Sequence, residues 1–135
     1  MSDSARFNTV VPSNVQFNPG SSIVFTDNDI EAPGGSISLL SNSQVQLRTG
    51  KYLINYAVST FNNPSSVVKM MVFQGGIGVV SSFTSGPVTG GNGQTSGCAL
   101  IVVTSSTSII ELRVDVLGGP VTPFSNVTMV VTNIT

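Results

Sequence analysis

The chain has 135 residues, of which 40% are hydrophobic and only 8% are charged, and its formal net charge is -1. Its five basic residues are scattered, so no basic stripe exists that could neutralise phosphates, which argues against nucleic-acid binding. No run approaches the roughly 18 apolar residues of a membrane span, and the absence of histidine removes every Ser-His or Cys-His catalytic arrangement. We therefore expect one soluble domain, covering residues 1–135, that is not an enzyme and does not insert into a membrane.

Short runs rich in Val, Ile, Thr and Phe alternate along the chain with Pro, Gly, Asn and Ser, and no stretch has a helical period. Strands are predicted at residues 7–11, 22–26, 36–39, 44–48, 51–60, 67–74, 78–83, 98–104, 108–117 and 126–134. About ten short strands in one domain indicate an all-β sandwich or barrel.

Two of these strands alternate clearly between apolar and polar residues, as expected for strands that bury one face. The faces predicted to be buried carry Tyr52, Ile54, Tyr56 and Val58 in one strand and Ile110, Leu112, Val114 and Val116 in the other. Residues 67–73, 100–103 and 127–131 are instead apolar on both faces. Together with the low charge, these second apolar faces predict an oligomer. The alternative is that loops of the same chain cover them.

Residues 86–97 form the one long stretch without an apolar pattern, and they are predicted to be a flexible loop. Within this loop Thr89, Asn92, Gln94 and Thr95 are candidate ligand contacts. The single cysteine, Cys98, begins an apolar run and is predicted to be a small buried side chain without a disulfide partner.

The only acidic cluster consists of Asp27, Asp29 and Glu31. Three carboxylates on one side of an extended segment are a weak candidate for a calcium site, because calcium prefers oxygen ligands. The glycine and the twelve-residue frame of an EF-hand are missing, so the alternative is a solvated polar loop. No other metal site and no cofactor is predicted.

The segment Thr49-Gly50-Lys51-Tyr52-Leu53-Ile54-Asn55-Tyr56-Ala57-Val58-Ser59 resembles the signature strand of the tumour necrosis factor and complement-head superfamily. A short strand precedes the glycine, and the order of the later strands is also similar. The resemblance implies a ten-strand jelly-roll sandwich that forms a tight homotrimer. It further implies that one sheet, around the signature strand and the last strands, faces the three-fold axis.

Within that superfamily the chain is especially similar to the carboxyl-terminal domains of collagen-like spore-surface glycoproteins of bacilli, which share its low charge and its Ser, Thr and Val content. This implies display on the surface of a spore or a virion. The chain departs from the collagen-like members because it has no Gly-X-Y run, and residues 1–9 lack the features of a signal peptide. We expect either a stalk outside this sequence or a domain that stands alone.

Four aromatic residues are expected to anchor either the trimer interface or the core, because aromatic side chains dominate the energetics of both. These residues are Tyr56, Phe61, Phe73 and Phe124.

The function predicted first is that of a structural, self-trimerising surface-display domain. The alternative is a carbohydrate- or receptor-binding jelly-roll module, in which loop Asn, Ser and Thr groups, with Tyr52 or Tyr56, contact a sugar. A further alternative is a single-jelly-roll capsid subunit, although the amino-terminal residues lack the basic arm of genome-packaging capsids.

Overall fold

The computed structural model describes residues 3–10, 16–17, 20–60, 67–90, 92–114, 122–123 and 126–135. The strands are β1 (Ser4–Val10), β2 (Gln16–Phe17), β3 (Asp27–Ile30), β4 (Ile37–Ser41), β5 (Gln44–Thr60), β6 (Val67–Gln74), β7 (Ile77–Gly78), β8 (Thr84–Thr89), β9 (Asn92–Val114), β10 (Thr122–Pro123) and β11 (Asn126–Asn133). A short 3₁₀ turn, Val80–Ser82, precedes β8. The predicted all-β class is confirmed in the described part of the chain. None of the described residues belongs to a helix that is long and apolar enough to cross a membrane.

The two longest strands, β5 and β9, pair antiparallel along almost their whole lengths and contribute to two layers. Their register shifts between Arg48 and Gly50, which divides each strand into two halves. The front layer has the order β3-β1-β11-β5-β9 and uses residues 50–60 of β5. The back layer contains β4, the other halves of β5 and β9, and then β6 with β7 and β8. Both long strands run from one layer into the other, so the nine strands form one folded sheet.

The core lies between the two layers and forms a single apolar cluster. Its residues from the two alternating strands are Tyr52, Ile54, Tyr56, Val58, Ile110, Leu112 and Val114. These residues confirm the predicted inward faces, and Val116 lies outside the described residues. Phe7 and Phe25 add an aromatic pair to the core, with ring centroids 5.6 Å apart.

Several strand boundaries differ from the prediction. The strands predicted at 44–48 and 51–60 are one strand, and so are those at 98–104 and 108–117 as far as Val114, because each long strand bends without ending. The strand predicted at 22–26 is wrong, since Ser22 makes only an isolated antiparallel bridge with Arg113, and the amides of Phe25 and Thr26 bond Asn42 and Asn8 separately. Half of the strand predicted at 78–83 is replaced by the 3₁₀ turn Val80–Ser82.

The flexible loop predicted at residues 86–97 is also wrong. Residues up to Thr89 continue β8, residues from Asn92 begin β9, and the two strands pair across a tight turn at Gly90. Gly90 has a φ of 62°, a conformation that glycine adopts without strain. The candidate ligand contacts Thr89, Asn92, Gln94 and Thr95 therefore lie on strands.

Candidate functional site

The outward surface of the front layer, here called the front face, is exposed along the centre of β5, the segment that resembles the signature strand. Because side chains alternate along a strand, β5 and β9 each bury one set of residues and present the other to solvent. The outward set consists of Lys51, Leu53, Asn55 and Ala57 on β5 and Gln94, Ser96, Cys98, Leu100 and Val102 on β9. Only one of these nine side chains is charged, so the β5–β9 part of the face is almost neutral.

One half of the front face is aliphatic and is here called the apolar half. Leu53 lies directly opposite Leu100 in the β5–β9 pairing, and Val102 follows two residues later on the same face. Their exposed fractions are 37%, 58% and 48%, respectively. Directly opposite residues have Cβ atoms only about 5 Å apart, so these side chains form one contiguous patch.

Cys98 lies beside the apolar half and is exposed. The prediction of a buried thiol is therefore wrong. The alternation of β9 turns its neighbours Ala99 and Ile101 into the core and leaves Cys98 outward with Leu100. The apolar run could not reveal this orientation because both faces of β9 are apolar here.

The other half of the front face contains an open groove of about 510 Å³, here called the polar groove. It is lined by Ala57, Val58, Ser59, Gln94, Thr95, Ser96, Asn126 and Thr128. Two of the four candidate ligand residues, Gln94 and Thr95, belong to this lining, whereas Thr89 and Asn92 do not. The contributions of β5 and β11 were missed by the sequence reading. Continuing the alternation of β5 to Ser59 would have indicated the residues of β5, but not those of β11, which depend on the β11–β5 pairing.

Tyr56 is a core residue, as one of its two predicted roles required. Its hydroxyl donates to the backbone carbonyl of Ser82 and lies 2.8 Å from the hydroxyl of Thr84, so it links the front layer to the back layer. Burial raises the pKa of Tyr56, and the hydrogen bond with Thr84 only partly offsets this. Tyr52 is likewise buried and bonds the carbonyl of Arg48. The predicted contact of either tyrosine with a sugar is therefore wrong.

Phe73 is buried on the outward side of the back layer, outside the main core. The guanidinium of Arg113 lies 4.4 Å above its ring centroid and donates to a carboxylate oxygen of Glu111 at 2.7 Å. The hydroxyl of Ser22 donates to the other oxygen of Glu111 at 2.6 Å. Burial opposes ionisation of Glu111, but Ser22 and Arg113 outweigh it and lower the pKa of this carboxyl.

The remaining anchor candidates, Phe61 and Phe124, lie outside the described residues.

The acidic cluster does not form a metal centre. Asp27 and Asp29 lie on β3, which pairs with β1, and Glu31 accepts a hydrogen bond from Ser4. Asp29 and Glu31 share a groove of about 450 Å³ with Arg6, whose positive charge disfavours a cation. No group of three or more acidic, His or Cys side chains in the described ranges could hold a metal ion.

The backbone is similar to those of several solved structures. Eiger TNF from S. frugiperda superposes with a TM-score of 0.72 at 10% identity, over 99% of this chain and 93% of that one. The globular domain of zebrafish complement 1qA gives 0.62 at 10% identity over 98% and 96%, and rabbit GITRL gives 0.60 at 12% over 98% and 94%. The fold is a TNF-like jelly roll. No family model and no curated protein sequence matches the chain.

In this jelly roll, the segment that resembles the signature strand is the second half of β5, at the centre of the front layer. The predicted jelly-roll class is thus confirmed at the level of the fold. Identities of 10–12% show the fold alone, and the similarity to spore-surface glycoproteins stays a prediction.

Proposed function

We propose that this jelly roll is a structural, non-enzymatic display domain that assembles with two further copies of itself through the apolar half of the front face. The proposal rests on one observation, the contiguous exposed patch of Leu53, Leu100 and Val102 on the β5–β9 part of the front face, where Lys51 is the one charged outward residue. The TNF-like fold supports three copies, because the resemblance of the signature strand implies a homotrimer.

Burial supplies the driving force for this assembly. A fully buried Leu or Val side chain contributes about 1.5–3 kcal/mol relative to the exposed state. Lys51 is the only charged residue among the outward residues of β5 and β9, and its long aliphatic stem can cover apolar surface while its amine stays hydrated. Copies can therefore approach without the like-charge repulsion of an ordinary surface.

Light scattering on the purified chain tests the assembly. The wild type is expected to have about three times the monomer mass of 14.0 kDa. Leu100→Glu should give the monomer mass, because a carboxylate would be buried without a partner. Val80→Glu is the matched control, since Val80 is 79% exposed on the 3₁₀ turn, and it should retain the wild-type mass. A monomeric wild type at micromolar concentration would refute the proposal.

Display on the surface of a spore or virion is the second part of the proposal, and its support is the resemblance of the sequence to spore-surface glycoproteins. Immunogold electron microscopy of spores and particles from the source organism tests it. Label confined to the cell interior would count against this location.

A further inference from the structure

The polar groove has the dimensions of a ligand site. Its volume of about 510 Å³ lies within the range of roughly 300–1,000 Å³ that is usual for such sites. No charged residue lines it, and β5, β9 and β11 all contribute side chains.

The strand register arranges the lining in two rows across three strands. In the first row, Ser59 of β5 pairs with Gln94 on one side and Asn126 on the other. In the second row, Ala57 stands between Ser96 and Thr128. The middle strand carries the smallest side chains, so the groove runs along β5. Neighbouring strands are about 4.8 Å apart, which places the flanking backbones roughly 10 Å from each other.

The side-chain hydrogen-bonding groups in these two rows favour an uncharged ligand that can both donate and accept hydrogen bonds. The amides of Gln94 and Asn126 and the hydroxyls of Ser96 and Thr128 can both donate and accept hydrogen bonds. A ligand covered with hydroxyl groups presents the same dual capacity. A charged ligand would lose hydration without meeting an opposite charge, which is unfavourable.

We propose that the polar groove binds a neutral saccharide. The ring hydroxyls bond the amides and hydroxyls of the two rows, and Ala57 contacts the aliphatic side of a sugar ring. A single groove needs no assembly. The number of grooves per particle rests on the proposed function, under which a trimer carries three copies of the groove.

The assembly surface and the groove are separate. Leu100 and Ser96 are four residues apart on β9, a distance of about 13 Å along an extended strand. Each can therefore be changed without altering the side chains of the other site.

A printed array of neutral and sialylated oligosaccharides, followed by titration of the bound glycans, tests the proposal. We expect the wild type to bind neutral oligosaccharides. Ser96→Tyr, which fills the groove, should abolish binding, and Gln94→Ala should weaken it about tenfold through loss of its hydrogen bonds. Ser85→Tyr places the same side chain on an exposed position of β8 and should bind like the wild type.

Light scattering and a thermal melt on the same samples separate this proposal from the assembly. A folded Ser96→Tyr trimer that no longer binds glycan supports the groove, and so does a monomeric Leu100→Glu that retains weak single-site binding. An array that stays blank at roughly millimolar glycan overturns the proposal. Full binding by Ser96→Tyr, or a preference for sialylated glycans, overturns it as well.

Discussion

The hydroxyl of Tyr56 is the polar contact that joins the two layers inside the core. It satisfies the carbonyl of Ser82 and meets the hydroxyl of Thr84, and both of these groups belong to the segment that leads from the 3₁₀ turn into β8. Sequence alternation predicted that Tyr56 points inward. It could not predict these partners, because they lie 26 and 28 residues away in the chain.

Removing this hydroxyl should therefore destabilise the protein. Tyr56→Phe leaves the buried carbonyl of Ser82 without this donor, and we expect a loss of about 1–3 kcal/mol in the free energy of unfolding, measured by urea denaturation. Tyr52→Phe is the matched control. Tyr52 makes one hydrogen bond, to the carbonyl of Arg48 at a partly buried position, so its loss should be smaller, about 1 kcal/mol. Equal losses in the two variants would contradict this role for Tyr56.

Glu111 should make stability depend on acid pH. Its pKa is lower in the folded protein than the ordinary value of 4.5, so the folded state binds fewer protons than the unfolded state as both titrate. The resulting stabilisation is present above about pH 4.5 and is lost as pH falls through the lowered pKa. We expect Glu111→Gln to cost about 1–2 kcal/mol at pH 7 and much less at pH 2.

Thermal or urea unfolding of both proteins across this pH range measures the difference. Asp27→Asn, which changes an exposed carboxylate on β3, should alter stability at pH 7 by no more than about 0.5 kcal/mol. If Glu111→Gln lowers the free energy of unfolding equally at pH 7 and at pH 2, the charge of Glu111 does not contribute to stability.

At the scale of elements, the β8–β9 hairpin is where sequence reasoning failed, and its glycines explain why. Glycine usually marks loops, but Gly86 and Gly97 lie within strands. A Cβ at Gly97 would come within 2.6 Å of the Tyr56 hydroxyl, so glycine is needed for close packing. Small inward residues such as Gly93 and Thr95 hide the alternation that identifies other strands. By contrast, β6 was predicted at its observed limits because its turns and apolar residues are unambiguous.

Gly86 should be the least replaceable residue of this hairpin. A Cβ at this position would overlap the backbone carbonyl oxygen of Gln94, and backbone cannot rotate away as a side chain can. We expect Gly86→Ala to lower the free energy of unfolding by about 3 kcal/mol. Ser85→Ala, one residue earlier and exposed, should change it by no more than about 0.5 kcal/mol. Chemical denaturation of both variants checks this, and equal stability would contradict the packing argument.

At the scale of the whole molecule, the low charge and the two-sided apolar strands predicted an oligomer, and in the single chain the apolar half of the front face is exposed. The sequence alone could not show which apolar residues lie on this exposed face. In the run from Leu100 to Val103, Leu100 and Val102 are exposed while Ile101 and Val103 are buried, although all four are aliphatic. Only the pairing with β5 assigns the faces. Two of the eight residues that line the polar groove, Gln94 and Thr95, were candidates from the sequence, whereas Asn126 and Thr128 arrive through the chain-distant pairing of β11 with β5.

The continuity of β5 and β9 through both layers has a consequence for how the protein opens. The β5–β9 ladder lies in both layers: residues 45–48 pair with residues 107–110 in the back layer, residues 50–60 pair with residues 93–103 in the front layer, and only the register shift separates the two parts. We therefore expect the centres of the two layers to open together, because the same two strands form both of them. Amide hydrogen exchange in the two layers should therefore require the same global opening, and partial unfolding is left to the peripheral strands such as β3 and β7.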